Sequence, residues 1–157
     1  MADFNSEQYN GGIAQVGTGD FGTMKVCYGT IEIAVALTIG QTIAMFTAPK
    51  GFTPLGGYLL GDDIDTGTEA LEIDVGTVAD STKYLNSGVI SGDTIANEKI
   101  TVGIKIPLQE DLMLVKPTPF AEDTDIICTF TAAANAGGTG TLTLYMYGVY
   151  NDDRATV

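Results

Sequence analysis

Four carboxylates crowd one short stretch of this chain: Asp62, Asp63, Asp65 and Glu69. Oxygen donors gathered in this way are what a hard cation such as calcium takes as ligands. The spacing of the familiar twelve-residue calcium loop is absent, since Gly67 stands where a third Asp or Asn would fall. A solvated acidic turn is the reading adopted, with these four residues as the metal candidates held against it and no metal expected. Asp65-Thr66-Gly67 also spells the triplet of aspartic proteases, which work with two carboxylates sharing a proton in a dry cleft. A tight turn demands Asp, Thr and Gly anyway, and no second segment like that family's supporting strand follows. Gly17 to Gly22 spells G-x-G-x-x-G, but a dinucleotide site needs a strand before it and a helix N-terminus after it. Here a polar segment precedes and a strand pattern follows, so these glycines read as a hinge. Histidine is absent from the whole chain, which removes the commonest general base and the commonest metal ligand. No catalytic residue and no cofactor is expected.

The charge balance narrows the partners. Twenty acids against seven bases give a net charge of −13, and the bases are scattered singly rather than set in a stripe. Such a surface repels phosphate backbones, so no nucleic acid is expected as a partner. The longest uncharged run, Ile33 to Pro49, is interrupted by Gly40-Gln41-Thr42 and falls short of the roughly 20 apolar residues of a spanning helix. The N-terminal residues lack the basic and apolar regions of a secretory signal, and the expectation is a cytoplasmically made protein with no membrane partner. Cys27 and Cys128 each sit inside an apolar strand pattern, which favours two buried thiols while leaving a bridge between sheets open.

The elements that would position these residues are strands. Thr, Ile, Val and 20 Gly, with no amphipathic helical period, point to an all-β chain. Ile31, Ile33, Val35, Leu37 and Ile39 alternate with Glu32, Ala34, Ala36 and Thr38, and Gly40-Gln41 suggests a hairpin turn into Thr42 to Ala48. Strands follow at about 54–61 and 69–75 around the acidic turn. In the second, Leu71, Ile73 and Val75 face one way, with Glu72 and Asp74 on a wet face. Asp80-Ser81 fits the cap of a single helical turn reaching Leu85. Ile100, Val102, Ile104 and Ile106 alternate with Lys99, Thr101, Gly103 and Lys105, and Leu112 to Lys116 reads as an edge strand stopped by Pro117. Ile126, Cys128 and Phe130 lead through a turn-rich stretch into Thr141 to Tyr150, read as the second half of a hairpin. There Leu142, Leu144 and Met146 share one face, and Tyr145 and Tyr147 the other, in a ladder continued by Tyr150. About eight strands in one domain fit a jelly-roll-like antiparallel β-sandwich, residues 23–150. Residues 1–22, without any period, read as an extended flexible arm reaching on the order of 70 Å. Its spaced Phe4, Tyr9, Ile13 and Phe21 are the candidate contacts with a neighbour, and 151–157 form a polar tail.

Within 56–85, Gly56, Gly57 and Tyr58 open a strand, Asp62, Thr66 and Gly67 mark a turn, and Val75-Gly76 closes a second strand. Asp80, Tyr84 and Leu85 end the polar link that follows. This block, about a fifth of the chain, resembles the small head decoration (cement) proteins of tailed bacteriophages. The resemblance implies a virion protein on the outer capsid surface, assembled in the host cytoplasm. It also implies the phage major capsid protein as partner, and a homotrimer at threefold or quasi-threefold positions. The residues themselves leave a second function class open: a carbohydrate- or receptor-binding jelly roll using Tyr58, Tyr84 and the C-terminal tyrosines, or a minor tail or fibre subunit.

Overall fold

The computed structural model describes residues 4–5, 24–62, 64, 71–89, 104–108, 118–134 and 139–150. These residues form nine strands: β1 (Phe4–Asn5), β2 (Met24–Ile33), β3 (Thr42–Ala48), β4 (Phe52–Gly61), β5 (Glu72–Thr77), β6 (Leu85–Val89), β7 (Ile104–Pro107), β8 (Thr124–Ala132) and β9 (Gly140–Tyr150). They make two sheets, ordered β1-β3-β8-β5-β6 and β2-β9-β4-β7, which pack as a sandwich. Every pairing is antiparallel except the two-residue β1, which runs parallel to β3 with Phe4 opposite Ile43 and Asn5 opposite Ala44. From β2 to β9 each link passes from one sheet to the other, save the β5–β6 hairpin. That is jelly-roll connectivity.

The alternation of side chains builds the core. Leu142, Leu144 and Met146 of β9 are fully buried, as are Ile126, Cys128 and Phe130 of β8 and Ile73 and Val75 of β5. In β3 a bulge between Ala44 and Phe46 turns both Met45 and Phe46 inward. Both cysteines are free and buried. Burial pushes the Cys27 thiol up to about 12 and the Cys128 thiol higher still, so both stay protonated and act as small apolar packing groups.

Three expected hairpins are crossovers instead. The turn at residues 38–41 exists: Gln41 N–H donates to the Thr38 carbonyl at 3.1 Å, and Gly40 takes a φ of 88° as the third residue of the turn rather than its first central one. Its flanking strands nevertheless lie in different sheets, because β2 pairs along all ten of its residues with β9, from Met24–Val149 to Ile33–Gly140. Past Ile33 there is no partner left in register. The apolar alternation runs on without a strand, leaving Val35 and Ile39 exposed and Leu37 buried. The acidic stretch after β4 and the turn-rich stretch before β9 cross between sheets in the same way.

Two further expectations change. The 80–85 segment holds no helical turn. Thr77 and Asp80 exchange backbone hydrogen bonds at 2.8 and 3.2 Å, and the Asp80 carboxylate accepts from Thr82 N–H and Oγ1 at 3.2 and 3.1 Å. Asp80 thus closes a side-chain turn rather than capping a helix, and Leu85 opens β6, a strand too short and polar to read from sequence. The face of β5 opposite Ile73 is not wet either: Asp74 is only 5% exposed. The turn folds back so closely that a side chain at Gly76 would collide with the carbonyls of Asp80 and Ser81. Of the Ile100–Ile106 alternation, Ile104 and Ile106 lie in β7, opposite Gly61 and Leu59, whereas 100–103 and the expected strand at 112–116 lie outside the described residues.

Candidate interaction surface

The outward side of β2, β9 and β4 gathers the exposed apolar side chains. On β2 the sequence MKVCYGT places Cys27 inward and Met24, Val26 and Tyr28 outward. They are 66%, 51% and 46% exposed. On β9, LTLYMY sends Leu142, Leu144 and Met146 inward and Thr143, Tyr145 and Tyr147 outward. Register then brings side chains from distant parts of the chain into rows. Tyr28, Tyr145 and Tyr58 stand opposite one another across three strands, and Val26, Tyr147 and Gly56 form the next row. Tyr28 and Tyr145 stack with ring centroids 5.7 Å apart and planes 23° apart, while Tyr58 and Tyr147 meet at 6.2 Å and 41°. The Tyr147 ring lies across Gly56, where any side chain would strike its hydroxyl and ring carbons. Such cross-strand aromatic pairs stabilise the sheet and hold the rings as a fixed surface.

Toward the far end the face turns polar. Thr30 and Thr143 share a hydroxyl hydrogen bond at 3.1 Å. Glu32 marks the end of this face, where its carboxylate accepts from Thr141 Oγ1 at 2.8 Å. The strand alternation puts the half-buried Lys25 on the other side of β2. An inward-pointing charge on an edge strand is a recognised guard against edge-to-edge pairing.

The residues held as metal candidates against the acidic-turn reading fare differently. Asp62 is committed to the fold: its Oδ2 accepts from Thr141 N–H at 2.9 Å while its own N–H donates to the Thr141 carbonyl at 3.0 Å. This reciprocal pair ties the start of the β4–β5 crossover to the first residues of β9. Asp63, Asp65 and Glu69 lie outside the described residues, and among those described no three His, Cys, Asp or Glu side chains converge. Of the arm residues, Phe4 sits in β1 beside Ile43, and Tyr9, Ile13 and Phe21 lie outside the described residues.

In overall path the chain matches solved phage capsid chains. A chain of the cyanophage Pam1 capsid asymmetric unit superposes with a TM-score of 0.68 at 22% identity, covering 96% of this chain and 100% of that one. A chain of the Ralstonia phage GP4 capsid gives the same TM-score at 16% identity, with 96% of each chain covered. At these identities the likeness is one of fold. No protein-family model and no curated protein matches the sequence.

One tyrosine drops out of the expected ladder and one out of the candidates for a sugar or receptor. Tyr150 falls on the inner side of β9 and packs against the core, and Tyr84 is only 1% exposed. Tyr58, already among those candidates, stands on the outward face, and Tyr28 joins it there. Sequence reading missed Met24, Val26 and Tyr28 as a surface row. The signal was present in their alternation with Cys27, but only the β2–β9 register shows that they continue the row of Tyr145 and Tyr147.

Proposed function

We propose that this chain is a non-enzymatic structural protein of a tailed-phage head, a decoration subunit that binds the outer surface of the assembled shell and stabilises it. The observation that carries the reading is the end-to-end likeness to chains of two phage capsids. The Pam1 chain is covered completely, so a sandwich of this extent stands there as a whole polypeptide within a capsid asymmetric unit. An acidic chain without histidine and with an exposed aromatic sheet face is suited to packing rather than to chemistry.

The stabilising action follows from linkage. A subunit that binds the assembled shell and not the free capsid protein shifts the equilibrium toward the shell by mass action. Several copies per lattice point, as a homotrimer, multiply the effect through avidity. In this reading residues 1–22 supply the arm that reaches a neighbouring subunit, with Tyr9, Ile13 and Phe21 as its contacts, whereas Phe4, expected as a fourth, pairs beside Ile43 in the chain's own sheet.

Co-sedimentation of the purified protein with empty shells, built from the capsid protein of the same genome, tests the proposal. Binding to shells and not to unassembled capsid protein is expected, with a raised melting temperature of the shell. Removing residues 1–22 lowers shell binding at least about tenfold while the sandwich, losing only the two-residue β1, stays folded. Absence of binding to intact shells contradicts the decoration role, and binding to a glycan array in its place favours the receptor-binding reading.

A further inference from the structure

The tyrosine-lined part of the four-stranded sheet's outward face, on β2 and β9, has the chemistry of a self-association surface, and we propose that its occupant is a second copy of this chain. The inference rests on the multi-copy reading above in one respect, the expectation that copies sit side by side. Charge decides between occupants. A chain carrying −13 repels its own copies wherever carboxylates face one another. Like charges set against each other across an interface cost several kilocalories per mole, so copies approach only through a patch that leaves carboxylates out.

The outward side of β2 and β9 is such a patch. Its side chains from Met24 to Thr30 and from Thr143 to Tyr147 carry no charge, and Glu32 lies at its end, already bonded to Thr141. Among the other described acids, Asp62 sits with Glu32 at the Thr141 end, Glu72 and Asp74 are on β5 and Asp125 on β8 of the other sheet, and Asp80, Glu122 and Asp123 lie in turns. A basic partner would be met by those acids instead.

The rings also favour a protein over a sugar. Tyr28 and Tyr145 stack on each other, so part of each ring face is already covered and unavailable to a sugar. The patch reaches β2, the free edge of its sheet, and is therefore open to a copy related by rotation about an axis alongside that edge. The inward-pointing Lys25 opposes extension of the sheet across that edge, which leaves face packing as the mode of contact.

Sedimentation of the full chain over a range of concentration and salt tests the proposal. The wild type is expected to self-associate, and more tightly as salt screens the repulsion of the remaining acids. Val26→Glu and Met24→Glu, both at well-exposed positions, are expected to weaken association at least about tenfold, each charge being repeated in every copy. Val78→Glu, at an exposed turn position away from the face, leaves it unchanged. Circular dichroism melts verify that each variant folds. A wild type that stays monomeric, or Val26→Glu and Met24→Glu oligomers as tight as the wild type, overturns the proposal. Shell binding of the same variants separates it from the decoration role: oligomers kept but shell binding lost assigns the face to the capsid protein, which overturns the self-association proposal and leaves decoration standing.

Discussion

The outward side of β2, β9 and β4 holds Met24, Val26, Tyr28, Tyr58, Tyr145 and Tyr147, whereas the outward side of β3, β8 and β5 holds Ala44, Ile127, Thr129, Asp74 and Gly76. Both sides are made by the same alternation over one shared core, yet they differ in what covers them. On the first, large apolar groups stand exposed, with Val26 half open to solvent. On the second, small residues meet in one row, Ala44 beside Ile127 beside Gly76, and Ile127 is only 7% exposed. The turn of Asp80 and Ser81 closes over Gly76 there. One face is closed by the chain itself, and the other is left open. An alternating pattern in sequence thus identifies an outward side without saying whether it is wet.

The largest expected contrast comes from the same kind of charge placed on each side. Ile127→Asp buries a carboxylate against a closed face and is expected to cost about 3 kcal/mol or more. Val26→Asp, on the open face, costs the isolated subunit no more than about 1 kcal/mol. Denaturant melts of the two variants at low protein concentration check this. Equal losses would mean that the two faces do not differ in the way described.

Glycine substitutions sharpen the comparison at smaller scale. Gly76→Ala meets backbone carbonyls that cannot swing aside, and a loss of about 2 kcal/mol is expected from overpacking. Gly56→Ala meets the end of the Tyr147 side chain, which can turn away, so a loss of about 1 kcal/mol is expected. The second variant also displaces the ring from its place on the open face, which tyrosine fluorescence of the folded protein would register. A reversed order of the two losses would mean that the turn over Gly76 is loosely held.

The strands themselves were largely legible in the sequence. β8 and β9 follow from Ile126, Cys128, Phe130 and from Leu142, Leu144, Met146, because a two-residue period against a buried side leaves an unmistakable trace. Pairing was not legible. Gly40 does set a chain reversal, but a turn fixes local backbone geometry and not the sheet that each flanking strand joins. β2 finds its partner more than a hundred residues away in β9. For the same reason Tyr145 and Tyr147 were visible as outward residues, while the row that sets Tyr28 and Tyr58 on either side of Tyr145 was not. β6 escaped because Leu85–Val89 has no alternation to see, and it is held by the turn that brings Tyr84 N–H to the Val75 carbonyl at 2.8 Å. Asp62 shows the same limit from the side of chemistry. Its chemistry suggested a ligand, and its geometry spends the carboxylate on the backbone of Thr141.

Cryo-electron microscopy of the phage particle that carries this chain tests the central claim most directly. The account predicts density for the sandwich on the outer surface of the head, in groups whose copies meet through Met24, Val26 and Tyr28 while the closed side with Ile127 and Gly76 points away from the contact. A head surface without this density, or the chain found only in the tail, would contradict it.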